Sequence, residues 1–125
     1  MDDKIYETIE YLKEEDYAAI VSVADLVIVP SLNEGFSHPI FDAFSFATRL
    51  LIHGPSPAAQ ILLNRKGVMV ANLNSSHDIL SLINEAVQMP KSNIADNRDF
   101  LKSIEATWAD LTKNYLELYS NLSYS

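Results

Sequence analysis

The sequence predicts an α/β fold with a parallel, Rossmann-like sheet and flanking helices. Two observations carry that prediction. Short apolar runs rich in Val, Ile and Leu alternate with segments of helical spacing, and the connections between them are short. The runs are continuous in apolar character, which is how strands read when helices cover both of their faces.

Taken in order, "KIYETIEY" at the start alternates loosely and reads as a strand with one wet face, or as a helix. "EEDYAAIVSVA" is a helix with Tyr17, Ile20, Val21 and Ala24 on one stripe. "DLVIVPS" is a strand covered on both faces, and "HPIFDAFSFA" returns to helical spacing. "RLLIHG" is the next strand, and "SPAAQILL" a short helix with Pro57 in its first turn, where a missing N–H costs nothing. "GVMVANL" is a further strand. In "SSHDILSLINEAVQ", Ser75 caps a helix whose stripe is Ile79, Leu82, Ile83 and Ala86.

From about Asn97 to Leu122 runs a long amphipathic helix or a closely spaced pair. Phe100, Ile104, Trp108, Leu111, Tyr115 and Leu118 step by four, four, three, four and three residues, a stripe that must be buried on a surface. No repeat or linker divides residues 1–125, so the chain is read as one domain.

Composition narrows the function. The 125 residues are 48% hydrophobic and 21% charged, a soluble globular balance. The net charge is -8 and the basic residues are scattered, which argues against nucleic acid as a partner. With no cysteine there is no disulfide framework and no thiolate nucleophile. The acidic start does not resemble a signal peptide, and no apolar run approaches the roughly twenty residues of a membrane span. A cytoplasmic location is the resulting expectation. The three histidines have no metal-ligand spacing, so no metal is expected.

Chemistry concentrates in "PSLNEGFSHPIFDAF", residues 30–44. In an open parallel sheet, ligands sit beyond the carboxyl ends of strands, where the following helices start. Amides at such a helix start favour phosphate. Gly35 lets backbone approach a ligand closely. Glu34 can accept hydrogen bonds from sugar hydroxyls. Asp42, one helical turn after His38, can accept both hydrogen bonds of a vicinal diol such as ribose. These parts suit a nucleoside diphosphate sugar. The plain alternative is a helix start whose acids serve only the macrodipole.

The wider segment "ADLVIVPSLNEGFSHPIFDAF" resembles the donor-site signature of retaining glycosyltransferases of the group 1 type, which have two Rossmann-like domains in the B-type fold. Ala24, Asp25, Pro30, Ser31, Glu34, Gly35, Phe36, Pro39 and Ala43 match that pattern in register. Glu34 and Asp42 keep the seven-residue separation of the family's two glutamates. The resemblance implies that Glu34 contacts the transferred sugar as the catalytic-site residue. It implies donor binding by Gly35, Phe36, Ser37 and His38, and a ribose held by Asp42. The donor would be UDP- or GDP-linked, a substrate with no further cofactor.

The chain departs from the pattern at four places. Asp42 is one methylene shorter than the usual Glu, and Ser37 replaces a second Gly. Ala47 stands where relatives carry Gly, and Arg49 where they commonly carry Pro, from which a looser turn is expected.

The resemblance covers about Lys4 to Leu118, but only the last part of such an enzyme. The acceptor domain and the Arg and Lys that hold the donor phosphates have no counterpart here. Retaining transfer needs charge stabilisation of the leaving diphosphate, so the chain alone is expected to be inactive as a transferase. A missing N-terminal portion, a partner subunit or self-association would cover a sheet edge left unpaired.

Two other readings stay open: a non-catalytic regulatory or scaffold module that keeps the fold, and a fragment of a glycogen-synthase-like or trehalose-6-phosphate-synthase-like transferase. A receiver-like module fits less well, lacking the acidic cluster of such a site. Of the remaining candidates, His38 is either a donor contact or a solvated residue, His53 reads as a loop residue, and His77 as a solvated helix start. Trp108 belongs to the buried stripe.

Overall fold

The computed structural model describes residues 12–31, 38–74 and 79–123. Both "KIYETIEY" and the Ser75 cap lie outside them, as does His77. Within the described residues the order is α1 (Glu14–Val23), β1 (Val27–Val29), α2 (His38–Ser45), β2 (Leu50–His53), α3 (Pro57–Leu62), β3 (Val68–Ala71), α4 (Ile79–Val87) and α5 (Ile94–Ser123). The three strands form one parallel sheet in the order β1-β2-β3. Val27 pairs with Leu50, and Leu50 in turn with Val68. The class is therefore α/β, with a small parallel sheet and flanking helices in an arrangement consistent with a Rossmann-like one.

The central strand explains the continuous apolar run. All four residues of β2, Leu50 to His53, are buried. Leu50 and Ile52 point into one core with Ile40, Ala43 and Phe44 of α2, Ala58, Ala59 and Leu62 of α3, and Leu101 of α5. Leu51 alternates to the opposite face.

β1 differs from its expectation. Ile28 is 41% exposed while Val29 is buried, so among the described residues this strand is covered on one face. Its apolar run is only three residues long, so continuity alone does not distinguish a strand covered on one face from one covered on both. In α1 the stripe is narrower than its spacing suggests. Val21 is buried and Tyr17 half-buried, whereas Ile20 faces solvent and Ala24 lies beyond the helix. Ile79, the first residue of α4, is likewise exposed, while Ala86 is buried.

The turn after α2 is tight. The amide of Thr48 donates to the Ala43 carbonyl at 2.9 Å and that of Ala47 to Phe44 at 3.1 Å. This pair of bonds is a Schellman cap with Ala47 in the left-handed position, at φ 56°. Arg49 follows and braces the exit, not loosens it: Nε donates to the Met89 carbonyl at 2.6 Å and Nη1 to that of Asp25 at 3.4 Å. Thr48 Oγ1 donates to the Val21 carbonyl at 2.9 Å and ties α1 to the same corner.

An L-residue in this conformation costs about 1–2 kcal/mol. Glycine removes that strain but loses about 0.5–1 kcal/mol in chain entropy. Ala47→Gly is therefore expected to stabilise the fold by about half a kcal/mol, and Ala47→Val to destabilise it by about 2 kcal/mol, because a β-branched residue is an outlier there. Urea denaturation of both variants checks the order; a glycine variant less stable than the valine variant contradicts it.

Two helix starts are built by short polar side chains. Ser56 Oγ accepts from the Ala59 amide at 3.1 Å, with Pro57 at the first helical position. Asn93 Oδ1 accepts from Ala95 and Asp96 at 2.8 and 3.2 Å and opens α5 three residues earlier than the apolar spacing indicates.

Candidate functional site

The carboxyl ends of the three strands define the edge where a ligand is expected. β1 leads through Pro30 and Ser31, both exposed, toward α2, which starts at His38 with Pro39 in its first turn. Glu34, Gly35, Phe36 and Ser37 lie outside the described residues, and nothing is described of the His38 side chain. The described part of the segment is thus a parallel strand before these residues and a helix after them.

Asp42 is half-buried on the second turn of α2, about 6 Å along the axis from the helix start. Its neighbour across the helix pair is Tyr17 of α1. Burial raises the Tyr17 phenol above its ordinary value, and the negative charge of Asp42 pushes it the same way. A carboxylate in this position lies beside a phenol that keeps its proton, and both can serve hydroxyl-rich ligands.

His53 is not a loop residue. It closes β2 at the carboxyl edge, 4% exposed, and its Nδ1 accepts the Leu73 amide at 3.0 Å. A neutral imidazole held this way carries its proton on Nε2. The bond ties the exits of β2 and β3 together. Spacing gave one signal for this: His53 directly continues the apolar run "RLLI". Beyond it, Ser56 is buried by its capping bond and has no nucleophile geometry.

Four of the described basic side chains are placed elsewhere. Arg49 precedes β2 and is engaged by the Met89 and Asp25 carbonyls. Arg65 precedes β3 and stacks on the Phe100 ring, its guanidinium carbon 3.8 Å from the centroid. Arg65, Lys66 and Lys91 line an open cavity of about 460 Å³ together with Asp96 and Asn97. This cavity sits at the amino edge of the sheet, where α3 turns into β3 and α5 starts. A four-residue strand separates the two edges by about 13 Å. These cations therefore stand at the opposite edge of the sheet from the carboxyl end of β1.

Among the described residues, no group of three or more His, Cys, Asp or Glu is arranged to hold a metal ion. No described helix is long and apolar enough to cross a membrane. No protein-family model matches the chain, and neither does any curated protein or solved structure.

Proposed function

We propose that the chain is the nucleotide-sugar donor-binding portion of a retaining glycosyltransferase of the group 1 type, one that transfers a hexose from a UDP- or GDP-linked donor. The observation that carries this reading is the arrangement around residues 30–44. A parallel strand ends at Val29, a helix begins at His38, and Asp42 lies half-buried on that helix. The order suits a ligand spanning from the strand exit to the helix. Glu34 takes the sugar, the Gly35–His38 backbone the diphosphate, and Asp42 the ribose diol.

Asp42 reaches less far than a glutamate, and the half-buried Tyr17 phenol beside it offers a second hydroxyl partner. The left-handed Ala47 supports the resemblance as well. The backbone at that position has the geometry for which glycine is the usual residue, so the departure lies in the side chain and not in the turn.

Arg49, Arg65, Lys66 and Lys91 stand at the amino edge, and this reading assigns the charge that stabilises the leaving diphosphate to a source outside this chain. A missing N-terminal portion or a partner subunit supplies it. The chain alone therefore binds donor without turning it over. Calorimetric titration with UDP, GDP and their hexose conjugates tests the proposal. Binding without turnover is the expected result, and absence of binding at millimolar ligand contradicts the assignment. A regulatory module that has lost the site gives that second result.

A further inference from the structure

Three cations meet at the amino edge of a chain whose net charge is -8. Arg65, Lys66 and Lys91 line the cavity of about 460 Å³ there, with Asp96 as its single carboxylate. The backbone holds its two sides together. Gly67 is buried at φ 79°, and a Cβ on it would lie 3.2 Å from the Ser92 nitrogen, so the turn before β3 sits directly against the loop before α5. The Gly67 carbonyl accepts from the Leu50 amide at 3.0 Å. Arg65 is fixed on both sides: its amide donates to Leu62 at 3.0 Å, and its carbonyl accepts from Val68 at 3.2 Å.

On this frame the half-buried Arg65 guanidinium is preorganised. One of its faces is covered by the Phe100 ring, which leaves the in-plane N–H donors for a partner at its edge. Among the described residues nothing accepts from those donors, and none of the three cations forms an ion pair. A buried acceptor reaches the same cavity. Asn97 is 3% exposed, and its Nδ2 donates to Phe44 and Ser92. Its Oδ1 accepts from no described residue, and a buried acceptor is costly to leave unmade. The amides at the start of α5 add little, because Asn93 Oδ1 already takes those of Ala95 and Asp96.

We propose that this cavity binds a phosphate monoester of a sugar or similar polyol, with the phosphate on Arg65, Lys66 and Lys91 and the hydroxyls on Asp96 and Asn97 Oδ1. The Arg65 fork presents parallel N–H donors to two phosphate oxygens, and the lysines add point charges on either side. Asp96 and Asn97 Oδ1 are acceptors, so they call for a ligand that also carries O–H donors. The volume agrees, since small-molecule sites run from about 300 to 1,000 Å³. A polynucleotide fits poorly, because beyond this edge the basic residues are scattered along an acidic chain. The site lies at the opposite edge of the sheet from the donor-site reading and does not rest on it.

Calorimetry on the full chain with mannose-6-phosphate, inorganic phosphate and mannose tests the proposal. The ester is expected to bind about tenfold or more tighter than inorganic phosphate, and mannose alone is expected to give no binding. Lys91→Ala, at an exposed position, is expected to weaken the ester by about tenfold. Arg65→Lys keeps the charge but loses the fork, and is expected to weaken it by a similar factor, about tenfold. Asp96→Ala is expected to weaken the ester and to tighten inorganic phosphate, which no longer sits beside a carboxylate. Lys113→Ala makes the same charge change as Lys91→Ala about 24 Å along α5 from Asn97, and leaves all affinities as they were. No binding of the ester at millimolar concentration overturns the proposal. So does equal affinity for ester and inorganic phosphate, or ester binding that survives both cation variants.

Discussion

Gly54→Ala is expected to destabilise the fold by about 3 kcal/mol, a large loss for the addition of one methyl group. A Cβ at this residue would run into Cγ1 of Val70 well inside van der Waals contact, with Ala59 Cβ next at 3.7 Å. The backbone cannot step aside, because the Gly54 amide donates to the Ala71 carbonyl at 3.0 Å and so continues the β2–β3 ladder. Immediately before it, His53 is held by Leu73. Strain placed here therefore reaches the carboxyl edge. The cause is specific and can be isolated: Val70→Ala removes the obstructing methyl. In chemical denaturation the double variant is expected to recover about 1 kcal/mol or more relative to the sum of the single losses. Simple additivity would show that the clash is not the source.

Asn97→Ala is expected to cost about 2–3 kcal/mol through a different route. Its Nδ2 donates to the Phe44 carbonyl at 2.9 Å and to Ser92 Oγ at 2.6 Å, with the side chain 3% exposed. Phe44 is the residue whose carbonyl also accepts the Ala47 amide, so one buried side chain ties α5 to the cap that ends α2. Beside it the rings of Phe44 and Phe100 meet edge to face, their centroids 5.8 Å apart. Asn97→Leu fills the volume and still leaves the carbonyl bond unmade, so it is expected to recover only part of the loss. Full recovery by leucine in thermal melts would show that packing, and not the hydrogen bond, holds this junction.

What was legible in the sequence follows from how local each signal is. β2 and β3 were readable as strands because a continuous apolar run needs only its own residues, although only β2 is buried throughout and β3 is half-buried. The exposed face of β1 was not, because which face a helix covers is set by tertiary packing, which spacing within the run does not encode. The Schellman cap with its left-handed Ala47 was signalled only as a departure, since alanine carries no turn signature of its own. Asn93 and Asp96 did carry one, the cap and first-turn acid of a helix, and mark the start of α5 better than the apolar step does.

Asn97 shows the opposite limit. A polar residue at an apolar-stripe position looks like the end of the stripe until a carbonyl more than fifty residues away in the chain is seen to accept its amide. In the candidate site, Asp42 falls on α2 after β1, where the spacing put it. The nearness of Tyr17 is a helix-to-helix contact that no motif contains. Arg49 shows why scattered basic residues resist assignment: its partners are two backbone carbonyls, invisible in any side-chain pattern.

In the proposed site, Glu34 and Asp42 hold two different parts of one donor. Calorimetry on the purified chain, titrating a nucleoside diphosphate and its hexose conjugate in parallel, tests this most directly. Glu34→Ala is expected to abolish the extra affinity of the hexose conjugate while leaving the diphosphate nearly unaffected. Asp42→Ala is expected to weaken both by roughly tenfold, the loss of a charge-assisted ribose contact of about 1.5 kcal/mol. If neither variant changes the affinity for either ligand, or the unmodified chain binds neither, residues 30–44 are an ordinary strand-to-helix turn and hold no donor.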